Sequence, residues 1–326
     1  MQGVVAGEGT GPDSLRLVEL PRPVAGAGEV RIDVAAVGVN RADLLQRDGR
    51  YRVPDEVAGW PLGLEVSGTV GAVGPGVARY AVGDEVCALL QGGGYAEAVC
   101  VDERLVLPRP PSVSLTDAAG LPEVWATAYD ALHGHASVAE GERVLIHGGA
   151  SGLGTAAIQL VTSVGASAHV TVGREEKADP CRELGAAHVY DYRDDDVWSA
   201  IRERLDGRRF NVVIDIVGAR YLEQHVELLA VDGRLVVLAL IGGKTAELDL
   251  AALLGRRLRI IGSTLRFRPS AYRYRLIADL QRDVWPGFGE GTFHPVVDAY
   301  FDLSDVAEAH AHLESGEHVG KVILTL

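Results

Sequence analysis

The chain has 326 residues, 47% hydrophobic and 23% charged, an ordinary globular composition with room for two domains. Its net charge of −14 argues against nucleic acid as a partner of the whole surface. No apolar run is long enough to span a bilayer, no basic segment with an apolar core opens the chain, and Cys87, Cys100 and Cys181 are too scattered for a disulfide framework, so the expectation is a cytoplasmic protein with no membrane partner.

The first third reads as all-β. Ser14–Leu20 alternates weakly, and Glu29–Val37 carries Val30, Ile32, Val34 and Ala36 on one face. Gly63–Val73 follows, then the turn Gly74-Pro75-Gly76, a strand opened by Gly83-Asp84-Glu85-Val86, and further strands at Tyr95–Val101 and Arg104–Leu107. Short strands with turn signals at this spacing predict a barrel or sandwich. One short helix, Asn40–Arg47, interrupts them with Asn40 as its cap. After it, Asp48–Trp60 holds Gly49, Pro54 and Gly59 and reads as an irregular loop that carries Tyr51.

From Ser114 the pattern changes. Ser114-Leu115-Thr116-Asp117 reads as a helix start, and a segment through Trp125 and Thr127 leads to Val144-Leu145-Ile146, a strand buried on both faces. A glycine turn follows, Gly149-x-x-Gly152-x-Gly154, and then Ala156, Ala157, Leu160, Val161 and Val164 recur at helical spacing. Strand, glycine turn, helix is the context of a dinucleotide-binding turn, although the spacing departs from G-x-G-x-x-G. Strands at Ser167–Val172, Ala187–Tyr190, Asn211–Val217 and Gly233–Leu238 alternate with helices at Glu175–Leu184, Asp195–Leu205 and Tyr221–Ala230. The class is α/β, with a doubly wound parallel sheet.

The second of these strands ends in Gly173-Arg174, with Lys177 one turn on. An NAD site places an acidic residue here, roughly 20 residues past the glycine turn. Cations instead favour a 2′-phosphate, hence NADPH. The alternative for Arg174 and Lys177 is a solvated surface pair, and Glu175 and Glu176 read as first-turn helix residues.

Long ordered runs resemble one family. They are Asn40–Arg47 with Gly49 and Tyr51, Leu62–Gly68, Gly92–Glu97, Leu121-Pro122-Glu123, Ile146 to Leu160, Asp232-Gly233-Arg234, Thr264-Leu265-Arg266, Ala307–His310 and Gly320-Lys321. Together they resemble the zinc-independent quinone oxidoreductases of the medium-chain dehydrogenase/reductase superfamily, ζ-crystallin-like and nearest the p53-inducible quinone oxidoreductase group. The resemblance implies a GroES-like β-rich catalytic domain, residues 1–123 and 266–326, plus a Rossmann domain, residues 124–265, that binds NADPH, with the acceptor in the interdomain cleft. It implies pyrophosphate contacts at Ser151, Gly152, Leu153 and Gly154. At the 2′-phosphate it implies Gly173, Lys177 and Tyr192, with Arg174 where the family has serine. Further contacts fall on Val217, Ile241, Gly242, Thr264, Leu265 and Lys321. It places Asn40, Tyr51 and Thr127 near the nicotinamide and the acceptor, and it implies a homodimer through the Rossmann edge strand, Arg257–Ser263.

Zinc-dependent relatives use a cysteine where this chain reads Val39-Asn40-Arg41, and the ten histidines form no ligand-spaced cluster, so no metal site is expected. His133, His135, His310 and His312 read as surface or helix-packing residues. Arg266 and Arg268 follow the last Rossmann strand, whereas Arg256, Arg257, Arg259, Arg273 and Arg275 read as surface. Without a metal, alcohol chemistry is poorly supported, but an electron-poor quinone needs chiefly orientation and exclusion of water. The leading function is NADPH:quinone reduction. The alternatives are an NADPH-dependent reductase of enones or enoyl thioesters, and a low-turnover NADPH-binding or redox-sensing protein.

Overall fold

A computed structural model describes residues 1–326. In chain order, the first elements are β1 (Gln2–Ala6), β2 (Leu15–Glu19), β3 (Glu29–Val39), α1 (Arg41–Arg47), β4 (Glu65–Val73), β5 (Glu85–Leu89), β6 (Ala98–Asp102) and β7 (Val106–Pro108). α2 (Pro122–Tyr129), β8 (Arg143–His147), α3 (Gly152–Ser163), β9 (Ser167–Val172), α4 (Ala178–Glu183), β10 (His188–Asp191) and α5 (Val197–Leu205) follow. Then come β11 (Phe210–Asp215), α6 (Leu222–Leu228), β12 (Leu229–Val237), α7 (Leu250–Gly255) and β13 (Arg259–Gly262). The last part holds α8 (Ser270–Asp283), α9 (Trp285–Gly289), β14 (Val297–Asp302), α10 (Val306–Ser315) and β15 (Lys321–Thr325).

The chain divides into two compact units. Met1–Ala126 with Arg266–Leu326 form the first, and Thr127–Leu265 the second, so the division falls inside α2. In the first unit a seven-stranded sheet runs β14-β15-β3-β4-β5-β7, with β6 also paired to β3. All its pairings are antiparallel except β14 with β15. β1 and β2 form a separate hairpin. This is the GroES-like architecture. Val30, Ile32 and Val66 are buried as their alternation requires. Trp125 packs its ring edge against Phe288 at 4.9 Å and against Phe293 at 5.1 Å.

The second unit is a six-stranded parallel sheet of order β10-β9-β8-β11-β12-β13, the doubly wound dinucleotide-binding order. Val144, Leu145 and Ile146 are completely buried, as a central parallel strand demands.

Several sequence expectations are corrected here. The helix start at Ser114–Asp117 is a 3-10 turn, Asp117–Gly120, and regular helix begins at Pro122. Glu175–Leu184 is a 3-10 turn, Glu175–Lys177, followed by α4, whose Pro180 lies in the first turn where a missing N–H leaves no acceptor unsatisfied. β1 was not legible at all. The loop Asp48–Trp60 contains a 3-10 turn at Asp55–Val57, anchored by buried Val57. β13 has Arg259 and Ile260 exposed, so its alternation does not mark a buried face. Arg273 is buried rather than on the surface.

Candidate functional site

In the first unit, the end of β3 and the start of α1 gather a buried polar network. Lys321, the first residue of β15, donates to Val39 O at 2.9 Å, Asn40 Oδ1 at 2.8 Å and Glu65 Oε1 at 2.6 Å. Asn40 Nδ2 donates to Glu65 Oε1 at 2.8 Å and to Gly38 O at 3.2 Å. The other Glu65 oxygen accepts the Glu123 backbone N–H at 2.8 Å, which ties the start of α2 into the network. Asp43 Oδ2 accepts the Asn40 backbone N–H at 2.8 Å and the Tyr95 hydroxyl at 3.2 Å. Behind it, His310 Nε2 lies 3.0 Å from Tyr95 Oη, and Arg47 Nη1 lies 3.3 Å from His310 Nδ1. His310 is therefore a core residue, pushed down to about 3 by burial and then by Arg47.

Asn40 and Lys321 thus act on each other. All three donors of the ammonium are engaged inside this unit, so a cofactor contact by Lys321 would require breaking one of them. The set Val39 O, Asn40 Oδ1 and Glu65 Oε1 is of a kind that holds a cation, and the cation at its centre is the lysine.

Tyr51 follows α1 and is half-buried. Its ring lies 6.2 Å from Phe267, and the Arg266 guanidinium carbon is 5.6 Å from its centroid. Arg266 is buried and fixed by Gln91 O at 2.8 Å and Gln46 Oε1 at 2.7 Å. The Tyr51 hydroxyl is pushed up to about 12 by burial and by Glu123, against the pull of Arg266. Glu123 is half-buried, and burial, then the neighbouring Glu65 charge, push it up to about 8. Asp43 is raised to about 6 by burial, against the hydrogen bond from Asn40. Glu65, Asp43 and Glu123 escaped the sequence reading as site residues. The available signal was a carboxylate at 65 inside an otherwise apolar strand.

In the second unit the expected cofactor residues all follow the carboxyl ends of parallel strands. Ser151–Gly154 follow β8, Gly173, Arg174 and Lys177 follow β9, and Tyr192 follows β10. Val217 follows β11, Ile241 and Gly242 follow β12, and Thr264 and Leu265 follow β13. That edge of an open parallel sheet is where ligands bind. Ser151 caps α3, accepting Gly154 N–H at 3.1 Å and donating to Gly148 O at 2.7 Å, so its hydroxyl proton is already engaged. A Cβ on Gly154 would collide with Gly148 O, and one on Gly149 would come within 2.6 Å of Val170 Cβ. The turn is a cradle only glycines can build, and the first N–H groups of α3 have no helical acceptor. These features fit a pyrophosphate.

A Cβ on Gly173 would lie 2.5 Å from Tyr192 Oη, so the Tyr192 hydroxyl covers this glycine. Arg174 is exposed and extended, whereas Lys177 is buried. Gly242 N–H donates to Val217 O at 2.7 Å and Ile241 N–H to Ile216 O at 3.2 Å, bringing these two loops together. Thr264 is exposed and Leu265 buried. Thr127, half-buried on α2, belongs to this unit.

One cluster corrects the sequence expectation that the histidines do not gather. His147 is brought together with Asp215 and His225 by β8, β11 and α6, with ligand-type atoms within 4.8 Å of one another.

Residues 26–111 match the alcohol dehydrogenase GroES-like domain, and residues 152–281 the family described as zinc-binding dehydrogenase. A mycobacterial protein solved with NADPH is 30% identical over the whole of both chains, with a TM-score of 0.88. The chain belongs to the medium-chain dehydrogenase/reductase superfamily. It is an oxidoreductase of that superfamily. A quinone oxidoreductase of Pseudomonas syringae pv. tomato is 27% identical, covering 100% of this chain and 99% of that one, with a TM-score of 0.89. The JamJ enoyl reductase is 26% identical, covering 99% and 98%, also with a TM-score of 0.89. Erythronolide synthase of Saccharopolyspora erythraea is 35% identical over 302 residues, which are 92% of this chain but only 8% of the synthase. The chain therefore spans a small part of the curated polyketide synthases it matches. Val39–Arg41 contains no cysteine or histidine, and Cys87, Cys100 and Cys181 form no disulfide.

Proposed function

We propose that this medium-chain oxidoreductase is an NADPH-dependent reductase of quinones. The observation that carries the reading is the Tyr51 ring 5.6 Å from the buried Arg266 guanidinium, with Glu123 held by its backbone to Glu65 and burial pushing both the Tyr51 phenol and the Glu123 carboxyl toward their protonated forms. Reduction of a quinone by a hydride leaves an oxyanion that must be stabilised and protonated, and this pair suits both tasks.

Bound NADPH supplies the hydride. The Ser151–Gly154 turn holds the pyrophosphate, and Arg174 and Lys177 beside Tyr192 and Gly173 favour the 2′-phosphate. Val217, Ile241, Gly242, Thr264 and Leu265 would hold the rest of the cofactor, and Thr127 would contact its nicotinamide end. In the first unit Tyr51 donates to the acceptor oxygen as charge develops, and the Glu123 carboxyl replaces the proton. Asn40, Glu65 and Lys321 fix the start of α2 and hence Glu123. Lys321 acts as a fixed counter-charge rather than a phosphate ligand. With an electron-poor acceptor and a lysine at the centre of the polar donor set, the reaction is read as independent of metal.

A second reading, reduction of an activated alkene such as an enone or enoyl thioester, is favoured by the likeness to the JamJ enoyl reductase and to polyketide synthases. Tyr51 and Glu123 serve an enolate oxygen equally well. A third, an NADPH-binding protein with negligible turnover, keeps the second unit's role and gives the first none. Stopped-flow NADPH oxidation against quinones, enones and enoyl thioesters separates them. Quinone turnover at least tenfold faster than any alkene supports the first, the reverse supports the second, and tight NADPH binding with no oxidation supports the third.

A further inference from the structure

The His147 cluster forms a chain with direction. The Gly148 N–H lies 3.4 Å from Thr171 Oγ1, Thr171 Oγ1 is 2.9 Å from His147 Nδ1, and His147 Nε2 is 2.7 Å from His225 Nε2. His225 Nδ1 is buried with no hydrogen-bond partner and faces Asp215 Oδ2 at 3.7 Å. His147 and Asp215 are each 1% exposed and His225 is 0%. Trp198 and Tyr221 close the cluster with their rings, at 6.1 and 5.2 Å from His147.

Asp215 settles which nitrogens carry protons. Burial pushes its carboxyl up to about 6, against the Val217 N–H it accepts at 2.7 Å and the Gly218 N–H at 3.1 and 3.0 Å, so the ionised form prevails at pH 7. A carboxylate facing Nδ1 demands an N–H there, because a lone pair would be repelled. His225 then presents a bare Nε2 to His147, whose Nε2 must carry a proton. The bare His147 Nδ1 accepts a hydrogen bond from the Thr171 hydroxyl, which leaves an oxygen lone pair for the Gly148 N–H. Burial pushes both imidazoles well below their ordinary range, so both are neutral, as this arrangement requires.

The two ends of the chain are cofactor segments. Gly148 opens the glycine turn, and Asp215 holds Val217 and Gly218. We propose that His225 is a positioning residue for the cofactor, locking the glycine turn to the Val217–Gly218 segment through a single set of tautomers. This rests on the reading of that strand edge as the NADPH site.

The test combines imidazole nitrogen NMR on the wild type with NADPH titrations of His225→Phe and His225→Gln. The expected tautomers at pH 7 are Nε2–H on His147 and Nδ1–H on His225. His225→Phe is expected to weaken NADPH binding about 10-fold, and His225→Gln, which keeps an acceptor and a donor, to restore it to within about 3-fold. A purely packing role would lower the melting temperature of both variants and leave their NADPH affinity unchanged, which overturns the proposal. So do the opposite tautomers, or stoichiometric zinc with both imidazoles in metal-bound form. If the wild type binds no NADPH, the proposed function falls and the positioning role with it. If the wild type binds and His225→Phe binds equally well, only the positioning role falls.

Discussion

Lys321 Nζ and Glu65 Oε1 lie 2.6 Å apart with side chains 6% and 0% exposed, and each completes the other's hydrogen bonding through Asn40. Removing one partner of a buried pair leaves the other charge uncompensated, at a cost of about 3–5 kcal/mol. Lys321→Met is expected to lower stability in that range, measured by urea unfolding. Lys321→Met with Glu65→Gln is expected to recover part of the loss, because the stranded carboxylate is gone. A fully additive pair of losses would show the two residues uncoupled.

Glu123 predicts a pH profile. Its carboxyl is raised from 4.5 to about 8, so folding favours the protonated form. Stability from this site is fully present below pH 4.5 and is lost as pH rises through about 8. As a proton donor it also makes kcat/KM fall above pH of about 8. Glu123→Gln is expected to be slower at pH 7, to lose that alkaline limb, and to gain stability relative to the parent at pH 9. An unchanged limb in the variant assigns it to another group.

Tyr51→Phe keeps the ring against Phe267 and removes only the hydroxyl. The expected result is a fall in kcat/KM of about 10-fold or more, roughly 1.4 kcal/mol, with NADPH affinity little changed. Full activity in Tyr51→Phe, with loss in Tyr51→Ala, would mean that the ring shapes the pocket and protons come from solvent.

Cofactor choice is read from Arg174 and Lys177. Charge-assisted phosphate contacts contribute roughly 1.5–3 kcal/mol each, so NADPH is expected to bind at least 10-fold more tightly than NADH. Arg174→Ala is the cleaner variant, because Arg174 is exposed while Lys177 is buried and its loss also disturbs packing. Arg174→Ala is expected to weaken NADPH about 10-fold and leave NADH unchanged. Equal affinities in the parent protein would contradict the assignment.

β13 is paired only to β12 and presents Arg259 and Ile260 to solvent. An open parallel edge is a pairing template, and a second copy of the same edge satisfies it across a two-fold axis. A dimer mass by light scattering at micromolar concentration is expected, with Ile260→Pro shifting it to monomer. A monomer mass for the parent protein rules the arrangement out.

Much of this was legible from local pattern. Val144–Ile146 announced a central parallel strand, and the glycines after it announced a tight strand-to-helix turn, because both signals depend on neighbours in sequence. The polar network was not legible. Glu65 sits in a strand whose alternation allows a solvent-facing carboxylate, yet packing on both faces buries it. Arg273 looked like surface charge, but α8 turns it inward. His147 is 78 residues from His225 in sequence, and only the order of the parallel strands and the placement of α6 make it a neighbour of His225 and Asp215. Charges paired across such distances leave no periodicity to detect.

The position of β15 has a consequence for biogenesis. The second unit is one continuous segment, Thr127–Leu265, and its strands are complete once that segment has been synthesised. The first unit is not, because β15 lies between β14 and β3 in its sheet. Until Lys321–Thr325 have left the ribosome, β3 keeps one open edge and Glu65 has no ammonium to meet. The first-made part of this unit is therefore the last to close, and it emerges with an open strand edge at Ala36–Val39 and a stranded carboxylate, the features that recruit chaperones to a nascent chain.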